Sequence, residues 1–282
     1  MEILNGKKLA KKIQWALAEK VKNFSHAPHL AVVLVGENPA SRIYVWKKIK
    51  ICKKIGITSS AYMYPDTFSQ ESLIEKINEL NADDSVHAIL VQLPLPPHID
   101  SQMVINSIDP QKDADGFTPE SLGKIFTEKN FWVSPPATPM GIMQIFDHYD
   151  IALSGKNVVV IGRSNIVGKP LALMLIARGA TVTSCNSQTS DMWSFTLRAD
   201  ILVVAAGVAH LIDKSMVKEN CVIIDVWIHR DEDNKIIGDV DFESVKDYAW
   251  YVTPVPWGVG PMTVAQLMLN TVALYEKYHL VS

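Results

Sequence analysis

Short, continuous apolar runs rich in β-branched residues alternate along this chain with segments of helical periodicity, and that alternation narrows the fold more than any other feature. The runs are His29–Gly36, Thr58–Tyr64, His87–Pro94, Asn157–Gly162, Thr181–Cys185, Ile201–Gly207 and Cys221–Ile228. Helical spacing marks Gln70–Leu80, Val167–Ala177 and Thr263–Tyr278. Strands that are apolar on both faces must be covered on both faces, which is the signature of parallel sheets with helices packed on either side. The predicted fold class is therefore α/β. The runs fall into two sets, residues 29–94 and 157–228, joined by a Pro-, Asp- and Ser-rich connection from Asp109 to Pro139. With 282 residues the chain has room for two modest domains.

Composition excludes several classes of function. The net charge of -3 offers no basic surface for nucleic acid. No apolar run reaches the ~20 residues of a membrane span. Met1–Val21 is Lys-rich with Leu9, Ile13, Leu17 and Val21 at helical spacing, so it reads as a retained surface helix rather than a signal peptide. Cys52, Cys185 and Cys221 share no short spacing, which argues against a disulfide framework or a metal site and fits a reducing, cytoplasmic compartment.

The run Asn157–Ile161 leads into Gly162-Arg163-Ser164 and then, through Gly168-Lys169-Pro170, into an apolar helix. Strand, glycine turn and helix start together hold a pyrophosphate, because glycine admits close backbone approach and the first N–H groups of the helix face the anion. The G-x-G-x-x-G pattern is not met: Ser164 takes the second glycine's place and the last glycine comes one position late. The next strand ends in Asn186-Ser187-Gln188 and lacks the acid that would bind the ribose of NAD. Arg163 and Ser187 are placed to hold a 2′-phosphate, the alternative being that Arg163 is a solvated turn residue.

In the first half, Ser41 is the expected N-cap and Gly56 the expected stop of a helix whose buried stripe is Val45, Ile49 and Cys52. Tyr44 and Lys48, four apart, share a face and form a workable proton-handling pair, although a helix with five lysines also reads as a solvated face. Gln92 lies at the carboxyl end of a strand, where a parallel sheet meets its ligand, or it caps a loop. The loop Asp109–Phe117 has too few oxygen ligands for a calcium loop; it is either a plain turn or a mount for one carboxylate aimed into a cleft.

Five strings now stand in order: NPAS-x-x-Y-V-x-x-K-x-K-x-C-x-x-x-G-I from Asn38, VQLPLP from Val91, D-P-x-K-D-x-D-G-F from Asp109, V-x-I-G-R-S-x-x-V-G-K-P from Val159 and V-P-x-G-V-G-P-M-T from Val255. Together they resemble the bifunctional methylenetetrahydrofolate dehydrogenase/cyclohydrolase family, from about residue 3 to residue 275. The resemblance implies two parallel-sheet domains. One is a folate-binding catalytic domain at 1–137, completed by a C-terminal helix at 262–282. The other is a Rossmann-type NAD(P) domain at 138–261. It implies Tyr44, Lys48, Gln92 and Asp115 as catalytic residues, and Gly162, Arg163, Ser164, Ser187 and Ile228 as cofactor-binding residues. Tyr44, Gln92, Asp115, Pro256 and Gly258 would contact folate. NADP is the implied cofactor, with NAD as an alternative, no metal is involved, and the implied assembly is a homodimer. The implied reaction is oxidation of methylenetetrahydrofolate followed by hydrolysis of the methenyl product to formyltetrahydrofolate. A shikimate-type dehydrogenase, or a folate-binding protein with lost or partial activity, is the competing reading.

Departures from the family pattern cluster in the second half: Ala137 for Cys, Asn186 for His, Gln188 for a basic residue, Val208 and Ala209 for a basic residue and proline, Trp227 and Trp257 for glycines, and His229 for Asn. Trp257 is expected on ordinary backbone, with its ring stacking on a bound heterocycle or narrowing the entrance.

Overall fold

The computed structural model describes residues 1–127 and 133–280. The chain forms two compact units, Met1–Lys11 with Pro136–Gln266, and Lys12–Pro135 with Leu267–Ser282.

The unit containing Lys12–Pro135 is built on a three-stranded parallel sheet with His29–Val35 at its centre, flanked by Thr58–Tyr64 and Ala88–Val91. Because side chains alternate across a strand, the central strand feeds two cores. Leu30, Val32 and Leu34 pack with Val45 and Cys52 of the helix Pro39–Ile55 and with Leu267, Met268 and Val272 near the C-terminus. Ala31, Val33 and Val35 pack with Leu73, Ile77 and Leu80 of the helix Gln70–Ala82. This two-sided burial is why the run is apolar throughout.

The helix Pro39–Ile55 is capped three residues before the expected position. Asn38, not Ser41, accepts the Ala40 and Ser41 N–H groups, and Pro39 takes the first helical position, where its missing N–H costs nothing. Gly56 ends the helix in the left-handed conformation at φ 94°. The connection from 109 to 139 is not wholly irregular, since Pro119–Thr127 is a helix.

The other unit carries a six-stranded parallel sheet. Its spatial order is Glu2–Ile3, Tyr251–Val252, Val222–Asp225, Ile201–Val204, Asn157–Ile161, Thr181–Cys185. The first eleven residues thus lie with the second half of the chain, not with the first as the sequence suggested. The cause is a backbone ladder: Glu2 and Leu4 donate to the Trp250 and Val252 carbonyls and extend the sheet by one edge strand. The helix Gly6–Val21 starts only after it.

All three cysteines are buried and free. Burial pushes the Cys52 and Cys221 thiols up to about 12 and raises Cys185. Among the described residues no helix is long and apolar enough to cross a membrane.

Candidate functional site

In the unit containing Lys12–Pro135, the helix Pro39–Ile55 and the end of the strand Ala88–Val91 bring a lysine and a glutamine together. Of the five lysines on that helix, only Lys48 is buried. Its Nζ donates to Gln92 Oε1 at 3.0 Å, and Gln92 Nε2 donates to the Leu93 carbonyl at 2.6 Å. The glutamine is thereby fixed with its oxygen toward the ammonium. Burial lowers the Lys48 pKa, and the nearby Asp115 carboxylate opposes that shift. Burial pushes Asp115 up to about 6, with Lys48 pulling it back down. The two groups sense each other without forming a contact ion pair. Tyr44, one turn before Lys48, is partly buried, and burial raises its hydroxyl above the usual range.

The loop that carries Asp115 is held by its other polar residues. Lys112 is buried and its Nζ donates to the Leu80, Asn81 and Asp83 carbonyls, closing the C-terminal end of the helix Gln70–Ala82. Asp113, 1% exposed, accepts from the Gly116 and Thr118 N–H groups. Ile89 N donates to the Lys112 carbonyl and the Ile89 carbonyl accepts from Ala114 N, so the loop forms an extra parallel bridge beside the strand Ala88–Val91. Asn270 Nδ2 donates to the Ala114 and Pro135 carbonyls. Asp113 anchors the turn, and Asp115 beside it is near enough to Lys48 for the two charges to interact. A buried amine of lowered pKa, a fixed amide and a carboxylate of raised pKa are the parts of a proton-handling site.

In the other unit, Gly162 follows the strand Asn157–Ile161 at φ 119°, and a Cβ there would lie 2.2 Å from the Ala205 carbonyl oxygen. A Cβ on Gly168 would lie 2.0 Å from the Gly162 carbonyl oxygen, so Gly168 lets the helix Gly168–Ala177 start against the turn despite its late place in the pattern. Ser164 Oγ accepts from Val167 N and Gly168 N and shapes the turn. Arg163 is exposed. Gly162 N donates to the Cys185 carbonyl at 2.8 Å, which sets this turn beside the strand end that leads to the exposed Ser187. This edge of the sheet, where the chain crosses from Asn157–Ile161 to its two different neighbours, is a topological switch point, the place where open α/β sheets bind ligands.

Ile228 follows the strand Val222–Asp225 and is partly exposed; a Cβ on Gly260 would lie 3.6 Å from its Cδ1. Pro256 is partly buried, and Gly258 is buried with no room for a side chain, since a Cβ would meet Thr253 at 2.7 Å and the Pro254 carbonyl at 2.8 Å. Trp257 is not on ordinary backbone. Its φ is +95°, in the left-handed region that favours glycine, while its ring is 48% exposed and lies under the Lys7 ammonium at 3.7 Å. The reason is clamping on both sides: Lys7 N donates to the Trp257 carbonyl, and Gly258 N to that of Pro254.

Sequence reasoning missed one cluster. Asp239, fully buried, accepts from Ala206 N at 2.7 Å, Gly207 N at 2.9 Å and His229 Nε2 at 2.6 Å. Asp225 accepts in turn from the Asp239 and Val240 N–H groups, both at 3.0 Å. No local pattern announces an acid that finds its partners only through the fold.

Comparison with known proteins agrees with this architecture. Residues 4–115 match the model of the tetrahydrofolate dehydrogenase/cyclohydrolase catalytic domain, and residues 136–279 match that family's NAD(P)-binding domain. The bifunctional protein FolD of Nitrosospira multiformis is 48% identical over 281 residues, covering 99% of this chain and 97% of the relative. The bifunctional methylenetetrahydrofolate dehydrogenase/cyclohydrolase structure from Campylobacter jejuni superposes with a TM-score of 0.95 at 47% identity, covering 98% of this chain and 99% of that one. The enzyme from Trypanosoma brucei, solved with NADP cofactor and inhibitor, gives 0.93 at 33% identity, covering 98% and 97%. Shikimate 5-dehydrogenase from Thermus thermophilus shares the fold alone, at 14% identity and a TM-score of 0.55, covering 88% of this chain and 97% of that one.

Proposed function

Because the chain belongs to the tetrahydrofolate dehydrogenase/cyclohydrolase family, we propose that it oxidises methylenetetrahydrofolate with NADP and hydrolyses the methenyl product to formyltetrahydrofolate, using the Lys48 cluster. The observation that carries this reading is the buried Lys48, bonded to Gln92 and near Asp115. NADP, when bound, accepts the hydride from the methylene carbon. The residues fit that cofactor: the Gly162 cradle would be filled by any Cβ, and the helix that starts at Gly168, close against that turn, points the positive end of its dipole toward a phosphate there. Gly162, Ser164 and Ile228 would line the cofactor, with Arg163 and Ser187 toward the 2′-phosphate.

Hydride transfer asks the protein chiefly for alignment. Hydrolysis asks for a proton carrier. Water adds to the methenyl carbon as Lys48 takes one of its protons; the C–N bond then breaks as that proton is returned to the leaving nitrogen, while the remaining hydroxyl releases its proton to solvent and becomes the formyl carbonyl. Gln92 holds Lys48 in place, Tyr44 orients it, and Asp115 grips the amino-pyrimidine edge of the pterin. Pro256 and Gly258 complete the folate contacts. We assign the enzyme as a cytoplasmic homodimer, to be checked by light scattering and cell fractionation.

The deciding experiment is an absorbance assay of methylenetetrahydrofolate with NADP or NAD, followed by decay of the methenyl product. Folate binding without either turnover would refute the enzymatic reading and leave a folate-binding protein.

A further inference from the structure

The loop after the strand Ile201–Val204 lies at the switch point, directly against the dinucleotide turn. Ala205 N donates to the Ile161 carbonyl at 2.7 Å, and the Ala205 carbonyl is the atom that a Cβ on Gly162 would strike. What fixes this loop comes from the far side of a hairpin. The strands His229–Arg230 and Ile236–Ile237 pair antiparallel, with His229 opposite Ile237, and this returns the chain to Asp239. Asp239 then holds two successive loop N–H groups through one oxygen and His229 through the other. Its own backbone donates to Asp225 at the end of the strand Val222–Asp225. That approach is so close that a Cβ on Gly238 would sit 1.8 Å from Asp225 Oδ2. The His210 and Ile212 N–H groups donate to the Gly238 and Asp239 carbonyls, so the loop is tied to this segment along its length.

A carboxylate only accepts, and its other two partners are backbone N–H groups, so the His229 ring meets Asp239 with a proton on Nε2. The Ala206 and Gly207 N–H groups are turned inward to Asp239, so they shape the loop rather than meet a ligand. Gly207 is left-handed at φ 72°, and a Cβ there would meet nothing within 4 Å. It is backbone conformation, not space, that demands glycine.

We propose that His229 is a positioning residue for the nicotinamide cofactor: by holding the buried Asp239 carboxylate, it fixes the Ala205–Gly207 backbone that walls the dinucleotide crevice. This rests on the NADP-dependent reading above. His229 stands where the family pattern has Asn, so the device belongs to this chain's own version of the site.

The test compares His229→Leu, which removes the donor, with His229→Gln, whose amide reaches a similar point. Two measurements are made on the full chain: amide hydrogen exchange at Ala206 and Gly207 without ligand, and NADP affinity by calorimetry. His229→Leu should speed exchange at both amides about tenfold or more and weaken NADP binding by a similar factor, as expected for loss of a charge-assisted bond. The Michaelis constant for folate should hold, and His229→Gln should restore most of both effects. Faster exchange with unchanged NADP affinity would overturn the proposal and reduce His229 to a structural role. Unchanged exchange would overturn it at its first step. If the parent protein bound no NADP, the proposal would fall together with the reading beneath it.

Discussion

Replacing Trp257 separates backbone strain from ring contacts. A side chain at φ +95° costs about 1–2 kcal/mol, and glycine escapes that cost while paying roughly 0.5–1 kcal/mol in unfolded-chain entropy. Both Trp257→Ala and Trp257→Gly lose the Lys7 contact, worth about 0.5–1 kcal/mol at an exposed site. The difference between the two variants therefore isolates the backbone. Trp257→Gly should be the more stable by about 0.5–1 kcal/mol, or roughly 1–4 °C in Tm. Relative to the parent, Trp257→Gly should melt almost unchanged, because relief of strain offsets the lost ring contact. Both variants should shift the Michaelis constant for folate or NADP several-fold, because the half-exposed ring stands between Pro256 and Gly258, the proposed folate contacts. Urea and thermal unfolding of the three proteins, with steady-state kinetics, decide the matter. An Ala variant more stable than the Gly variant would refute the strain argument. Unchanged constants with a large fall in Tm would make Trp257 a packing residue.

Lys48→Met should reduce methenyl hydrolysis by about a hundred- to ten-thousand-fold and spare hydride transfer, with the exposed neighbour Lys47→Met as control; equal loss of both activities would remove the proton-carrier role. Arg163→Ala should narrow the NADP preference about tenfold or more, measured as the ratio of kcat/KM for NADP and NAD. Asp115 titrates at about 6 in the folded protein against an ordinary 3.8, so its neutral form favours folding, and that contribution is lost as pH rises from about 4 through 6. Asp115→Asn should gain stability relative to the parent across that window in urea titrations, and a flat difference would contradict the assigned burial. Lys112→Met leaves three carbonyls at a helix end without their cation and should cost about 2–3 kcal/mol by urea unfolding.

The central strands His29–Val35 and Ile201–Val204 were legible because two-sided burial writes itself as unbroken apolar sequence, whereas the half-exposed edge strands were marked by their β-branched and aromatic residues. Thr58–Tyr64 and Thr181–Cys185 were read to the residue. Glu2–Ile3 and Tyr251–Val252 were not, because two residues carry no period and their pairing is long-range. The helix that carries Lys48 was read with the wrong cap because Asn38 and Ser41 are equally good acceptors, and only the preference of Pro39 for the first position separates them. Lys48 could be picked from its neighbours by family resemblance, but periodicity alone left it one lysine among five; burial singles it out. At Trp257 the side chain argued for ordinary backbone, and hydrogen bonds from Lys7 and Gly258 overrode it.

The buried thiols have a practical consequence. With Cys52 and Cys221 at about 12, roughly one molecule in a hundred thousand carries either thiolate at pH 7 while folded, so alkylating reagents must wait for the chain to open. Cys52 lies in one compact unit and Cys221 in the other. Mass-resolved labelling of the two peptides would therefore clock the opening of each unit separately in the unaltered protein, and would show whether a ligand that stabilises one unit also quiets its neighbour.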